Sequence, residues 1–146
     1  MNIEIQAITK AFSVFPDGEV YFKASDPQVQ WITWKGWLTG SHAFGTAHQE
    51  SDIDFMFEYS FSLEEALKSL GFTEKPNGTY SDNLTKMVLC FHGFGLHIDV
   101  QLVNDLELKK KVQDFLIDSD NYQPDRNDWD EAIRLAETVR RYRDIF

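Results

Sequence analysis

The sequence predicts an α+β chain: a small mixed β-sheet packed against helices, with a C-terminal helix. Three observations lead there. Ile53, Phe55 and Phe57 alternate with Asp52, Asp54 and Met56, and Leu96, Ile98, Val100 and Leu102 alternate with His97, Asp99 and Gln101. That period of two belongs to strands with one face on a core. Trp129, Ile133, Ala136 and Val139 recur at helical spacing, so a last helix is expected from about Asp128 to Arg143. Ser62-Leu63-Glu64-Glu65 is a capping box, with Phe61 placed to staple against Ala66.

The remaining elements follow in chain order. Ile5, Ile8, Phe12 and Phe15 keep a helical period up to the turn signal Pro16-Asp17-Gly18. Glu19 to Ala24 reads as a short strand, with Val20 and Phe22 on one face. Asp26-Pro27 restarts the chain, as a helix through Trp31 or as a strand over Trp31-Ile32-Thr33-Trp34. Gly36 to Thr39 is a short apolar strand, and His42 to Ala47 a brief helical turn. The capped helix runs from Leu63 to Leu70 and stops at Gly71. Asn77-Gly78 marks a turn. Strands over Lys86–Phe91 and Leu96–Val103 are joined through Gly93-Phe94-Gly95. Asn104-Asp105-Leu106-Glu107 opens another helix, carried on by Leu108, Val112 and Phe115. The helices are expected on one side of the sheet.

Composition bounds the function. The chain has 146 residues, one domain's worth, and its twelve Phe and four Trp suffice for a real core. With 42% apolar and 26% charged residues it is a folding composition, not a disordered one. The net charge of −10 disfavours nonspecific docking on nucleic acid or an anionic membrane. No apolar run is long enough to span a bilayer. Met1-Asn2-Ile3-Glu4 lacks the basic start of a signal peptide, and Cys90 has no second cysteine to pair with. A cytoplasmic location is expected.

The chemistry gathers between Gly40 and Asp54. Asp52 and Asp54, two apart on a strand, point the same way with Cα atoms about 6–7 Å apart. Two carboxylates that close repel unless a cation lies between them. Mg²⁺ is the natural ion, with Mn²⁺ as its substitute, since a few carboxylates and phosphate oxygens satisfy it. Asp99 is an isolated acid on the polar face of an otherwise apolar strand. If that strand lies beside the Asp52 strand, three acids converge and would hold two ions about 3.5–4 Å apart. Asp99 would then be the general base or base-side ligand. Gly40 permits a tight turn, and N–H groups after it, with the Ser41 hydroxyl, would receive phosphate oxygens. Gly45-Thr46 turns the chain back, and Ser51 stands just before the acids. An Asp-x-Asp pair alone reads as surface charge. The compound spacing, Gly-Ser, ten residues, Asp-Ile-Asp, then an isolated Asp, is what points to catalysis.

These residues carry a resemblance. Leu38-Thr39-Gly40-Ser41 through Ser51-Asp52-Ile53-Asp54-Phe55, with His97-Ile98-Asp99-Val100, resembles the signature of the polymerase-beta-like nucleotidyltransferase superfamily. In size the chain is most similar to its minimal, antitoxin-type group. Members of that group often transfer AMP to a partner toxin carrying an HEPN domain. The resemblance implies one nucleotidyltransferase-like domain over 1–146. It would comprise an N-terminal extension about 1–34, a catalytic core about 35–103 and C-terminal helices about 104–146. It further implies Asp52, Asp54 and Asp99 as catalytic and metal-binding, and Gly40, Ser41, Thr46 and Ser51 as nucleotide-binding. The reaction would move a nucleoside monophosphate from an NTP, ATP first among them, to a hydroxyl acceptor, with pyrophosphate leaving. One departure stands out: Phe44 occupies a position where minimal members commonly carry Arg, so a charge for phosphates or partner is missing.

Two other function classes compete. One is an inactive fold of the same kind that binds a protein; the other is an enzyme that extends RNA ends, against which the net charge argues. Lacking an evident second domain, the chain would need a partner protein or a second copy to complete its cleft. Cys90, His92 and His97 lack a fourth ligand at structural-zinc spacing, and Cys90 reads as a core residue. His97 either lines the cleft or lies exposed, and His42 either reaches a phosphate or does not. Lys109-Lys110-Lys111 and Arg134, Arg140, Arg141 and Arg143 read as solvated helix faces; the functional alternative is that one or two of them neutralise triphosphate. Trp31, Trp34 and Trp37 pack in the core or stack a base.

Overall fold

Among the described residues, seven strands form one sheet in the order β1-β2-β3-β4-β7-β6-β5. They are β1 (Phe12–Val14), β2 (Glu19–Ala24), β3 (Ile32–Thr39), β4 (Ile53–Glu58), β5 (Thr73–Glu74), β6 (Thr85–Gly93) and β7 (Leu96–Val103). The helices are α1 (Gly40–Phe44), α2 (Phe61–Ser69), α3 (Leu106–Asp118) and α4 (Arg126–Ile145). This computed structural model describes residues 10–24, 31–48, 51–76, 82–93, 95–119 and 124–145. The expected elements at Ile5 and Ile8, the Asp26-Pro27 restart, the Asn77-Gly78 turn and Phe94 lie outside them. No helix among the described residues is long and apolar enough to cross a membrane.

Every strand pair is antiparallel except β4 with β7, which run parallel at the centre. A parallel pair needs a crossover. Here α2, β5 and β6 make it, so Asp54 and Asp99 return to the same level, directly paired across β4 and β7.

Alternation then sorts the two faces. Phe55, Phe57, Val100 and Leu102 point to one face, where Leu63 and Leu67 of α2 close a core with Val20, Phe22 and Phe72. Asp54, Met56, Asp99 and Gln101 point to the other. The helices are therefore not confined to one side. α3 lies over the acidic face, where the Thr39 hydroxyl donates to Gln113 Oε1 at 2.6 Å and Gln113 Nε2 donates to the Leu38 carbonyl at 3.0 Å. Phe44, Leu84, Leu108, Val112, Leu116 and Ile133 form a second core beneath α3 and α4. A polar strand face does not forbid a helix when the helix brings polar partners.

Several boundaries differ from expectation for local reasons. Phe12 belongs to a strand, because the Pro16-Asp17-Gly18 turn folds β1 onto β2 and pairs Phe12 with Phe22. Its ring meets Phe22 and Phe55 at centroid distances of 4.8 and 5.1 Å, each pair adding about 1 kcal/mol beyond area burial. The stretch from Ile32 to Thr39 is one strand, which settles the Trp31–Trp34 alternative for residues 32–34. The first helical turn begins at Gly40 rather than His42. The cap of α2 is Ser60, not Ser62: its Oγ accepts from the Leu63 amide at 3.1 Å. Asp105 caps α3 from a left-handed backbone (φ 68°), accepting from the Leu108 amide at 3.1 Å, while both Glu58 carboxylate oxygens accept the Asp105 and Leu106 amides.

Candidate active site

The site starts from the parallel pair. Adjacent strands lie about 4.8 Å apart, and Asp54 and Asp99 occupy paired positions on one face of β4 and β7. Asp52 stands just before β4, and His97 lies two residues before Asp99 on β7. Asp99 is buried, at 4% exposure. Its Oδ2 accepts from Lys75 Nζ at 2.7 Å. Asp52 Oδ1 lies 2.6 Å from His97 Nδ1, and Asp99 Oδ1 lies 3.4 Å from His97 Nε2. The Asp54 carboxyl is pushed up to about 7, first by burial, then by the negative charges of Asp99 and Asp52.

Gly40 touches this cluster. It has φ +67°, and a β-carbon there would overlap the Asp54 carboxylate, approaching Asp54 Cγ at 2.9 Å. Only glycine meets both demands, a left-handed backbone and a bare face toward the acid. Thr39, the residue that caps α1, turns its hydroxyl to Gln113 and makes no side-chain bond to the helix.

Beside the acids opens a cleft of about 380 Å³. Gly40, Ser41, Thr46 and Ser51, the four residues expected to bind nucleotide, all line it. The Thr46 amide donates to the Ser41 carbonyl at 3.0 Å, and Ser51 Oγ accepts from the His48 amide at 2.8 Å, so residues 41–48 and Ser51 hold one wall. Phe44, Trp129 and Lys109 line other parts of the cleft, and Phe44 meets the Trp129 ring edge-on at 5.9 Å.

The donor set fits a divalent cation. Asp52, His97 and Asp99 each offer one ligand atom, all within 4.8 Å of one another. His97 Nε2 and Asp99 Oδ1 are buried and have no hydrogen-bond partner among the described residues. Unpartnered buried polar atoms are costly, and a bound cation would satisfy both. The expected acids Asp52, Asp54 and Asp99 are thus brought together, with His97 among them.

Three residues were missed or misplaced from sequence. Lys109 is not solvated: it is 1% exposed, and its Nζ donates to Asp82 Oδ2 (2.7 Å), Thr85 Oγ1 (3.0 Å) and the Gln101 side chain. Its spacing from Val112, Gln113 and Leu116 puts it on the buried stripe of α3, a signal masked by the run of three lysines. Lys75 could not be found, since it follows the two-residue strand β5 in a stretch with no pattern of its own. Trp129, rather than Trp31, Trp34 or Trp37, is the tryptophan of the cleft, while Trp34 stacks on Phe22 at 5.5 Å. Comparison with protein-family models, with curated proteins and with solved structures finds no match for this chain.

Proposed function

We propose that this chain is a metal-dependent nucleotidyltransferase that moves a nucleoside monophosphate from an NTP to a hydroxyl acceptor. The observation that carries the reading is the seat of Gly40 on the Asp54 carboxylate. It joins a turn suited to phosphate oxygens to a cluster of acids suited to a metal, as one site.

In this reading Asp54 and Asp99, with Asp52 or His97, hold a divalent ion, Mg²⁺ or Mn²⁺. When bound, such an ion offsets phosphate charge and lowers the pKa of an attacking hydroxyl. The α1 amides and Ser41 receive phosphate oxygens, and the cleft lined by Thr46, Ser51 and Trp129 takes the rest of an NTP, ATP first among candidates. The acceptor oxygen bonds to the α-phosphorus, the bond to the pyrophosphate oxygen breaks, and the hydroxyl proton passes to the Asp99 side of the cluster. Lys75 steadies Asp99 there. The acceptor is a small molecule or a partner protein, and the net charge of −10 argues against an RNA end.

One observation favours a second reading, an inactive protein-binding module: the Lys75 ammonium already supplies a positive charge to Asp99. Calorimetry with a non-hydrolysable ATP analogue separates the two. The enzyme reading expects binding only with Mg²⁺ or Mn²⁺, weakened at least tenfold by Asp54→Asn. Binding that ignores both the ion and the substitution, or no binding at all, favours the module.

A further inference from the structure

We propose that His97 is a metal ligand and that Asp52 acts through it, so that the centre selects a first-row transition ion over Mg²⁺. The inference rests on the metal-centre part of the preceding reading and needs no nucleotide transfer.

The imidazole is held in one orientation. Nδ1 lies 2.6 Å from Asp52 Oδ1, so an N–H at this nitrogen is placed to donate a hydrogen bond to the carboxylate. In the neutral ring the lone pair is then on Nε2. That lone pair faces Asp99 Oδ1 at 3.4 Å, and neither atom has a hydrogen-bond partner among the described residues although both are buried. Asp99 is itself only 4% exposed, and Lys75 engages its other oxygen, so Oδ1 alone is left aimed into the site.

With the ring neutral and Nδ1 the donor, two acceptors face each other across a gap beyond hydrogen-bond length. Ligand atoms about 2.1 Å from one ion, at angles between octahedral and tetrahedral, are about 3.0–3.4 Å apart. The observed spacing lies at the tetrahedral end of that range. A ligating histidine characteristically gives its other N–H to a carboxylate, and Asp52 is placed to accept it. Sequence reasoning made Asp52 a direct ligand; here it becomes a positioning residue. The His92 ring, 3.5 Å from the His97 ring, backs the imidazole. A nitrogen donor is what distinguishes this centre from an all-oxygen one: imidazole suits Zn²⁺ and its neighbours, whereas Mg²⁺ prefers oxygen.

The test titrates metal-free protein with Co²⁺, followed by its visible absorption, and then competes with Zn²⁺ or Mg²⁺. Zn²⁺ should displace Co²⁺ readily, and Mg²⁺ only at a concentration about 100-fold or more higher. His97→Gln should weaken Co²⁺ and Zn²⁺ about 10- to 100-fold and leave Mg²⁺ nearly unchanged, and Asp52→Asn should weaken Co²⁺ about tenfold or more. Independently of any variant, Zn²⁺ should shift the His97 Nε2 resonance in ¹⁵N-histidine-labelled protein while Nδ1 stays protonated. An unmoved Nε2 signal overturns the inference, as does Co²⁺ binding indifferent to His97→Gln. In either case the ring only pairs with two carboxylates. Failure of nucleotide transfer alongside intact Co²⁺ binding would remove the enzyme reading and leave this one standing.

Discussion

Removing metal should make the stability of this protein fall as pH rises through neutrality, because Asp54 resists ionisation. Its carboxyl is raised from 3.8 to about 7 by burial and by the neighbouring charges of Asp99 and Asp52. A carboxyl raised on folding favours the fold while protonated. The contribution is complete below about pH 3.8 and is lost as pH climbs through about 7. At 1.36 kcal/mol per pH unit the full shift corresponds to about 4 kcal/mol. Asp54 is only partly buried, and solvent screening brings the expected loss to about 2 kcal/mol. The assay is urea unfolding in chelator from pH 5 to 8. About two thirds of that loss falls above pH 5, so with a slope of about 2 kcal/mol per molar urea the midpoint should drop by about 0.6 M over that range. Asp54→Asn should flatten the curve and be the more stable protein at pH 8. Saturating divalent cation should restore the wild type. A flat wild-type profile in chelator, or an Asp54→Asn protein weaker than wild type at pH 8, would refute the like-charge argument.

Substitutions at three further positions probe the supports of the site and of the helix beside it. Gly40→Ala must place a β-carbon against the Asp54 carboxylate at positive φ, so thermal unfolding should show a loss of about 2–4 kcal/mol, with metal binding weakened as well. Lys109→Met leaves the Asp82 carboxylate without its buried partner, and denaturant unfolding should register a loss of about 3–5 kcal/mol. Asp105→Ala removes a cap at positive φ together with the 2.8 Å Arg140 contact, which should cost about 2 kcal/mol by urea titration, while Asp105→Asn keeps the cap and costs less than about 1 kcal/mol.

Much of the fold could be read from local pattern. The alternation at 53–57 and 96–102 located the two central strands and the facing acids, since a period of two is a direct image of strand geometry. What pattern could not show was long-range pairing. Phe12 kept a helical spacing with its upstream neighbours, yet its partners Phe22 and Phe55 come from strands further along the chain. Ser60 and Ser62 both suit a cap, and only the extended backbone at Ser60 decides between them. The site divides in the same way. Asp52, Asp54, Asp99 and Gly40 share one motif, and the contact of Gly40 with Asp54 links its two halves. Lys75 arrives from just beyond a two-residue edge strand, where no pattern marks it, and Lys109 from the buried stripe of a helix, where the run of three lysines masks its spacing. His97 was visible as a neighbour of Asp99, but its bridge between Asp52 and Asp99 depends on rotamers that no spacing encodes.

Transfer of label from α-labelled ATP, GTP, CTP and UTP tests the central claim most directly. It should be run with Mg²⁺, Mn²⁺ and Zn²⁺, with and without lysate of the source cell, on wild type and on Asp99→Asn. The account predicts metal-dependent label on an acceptor, absent in Asp99→Asn. No transfer from any nucleotide with any ion, joined to no metal-dependent nucleotide binding, would contradict it and leave the fold as a binding module.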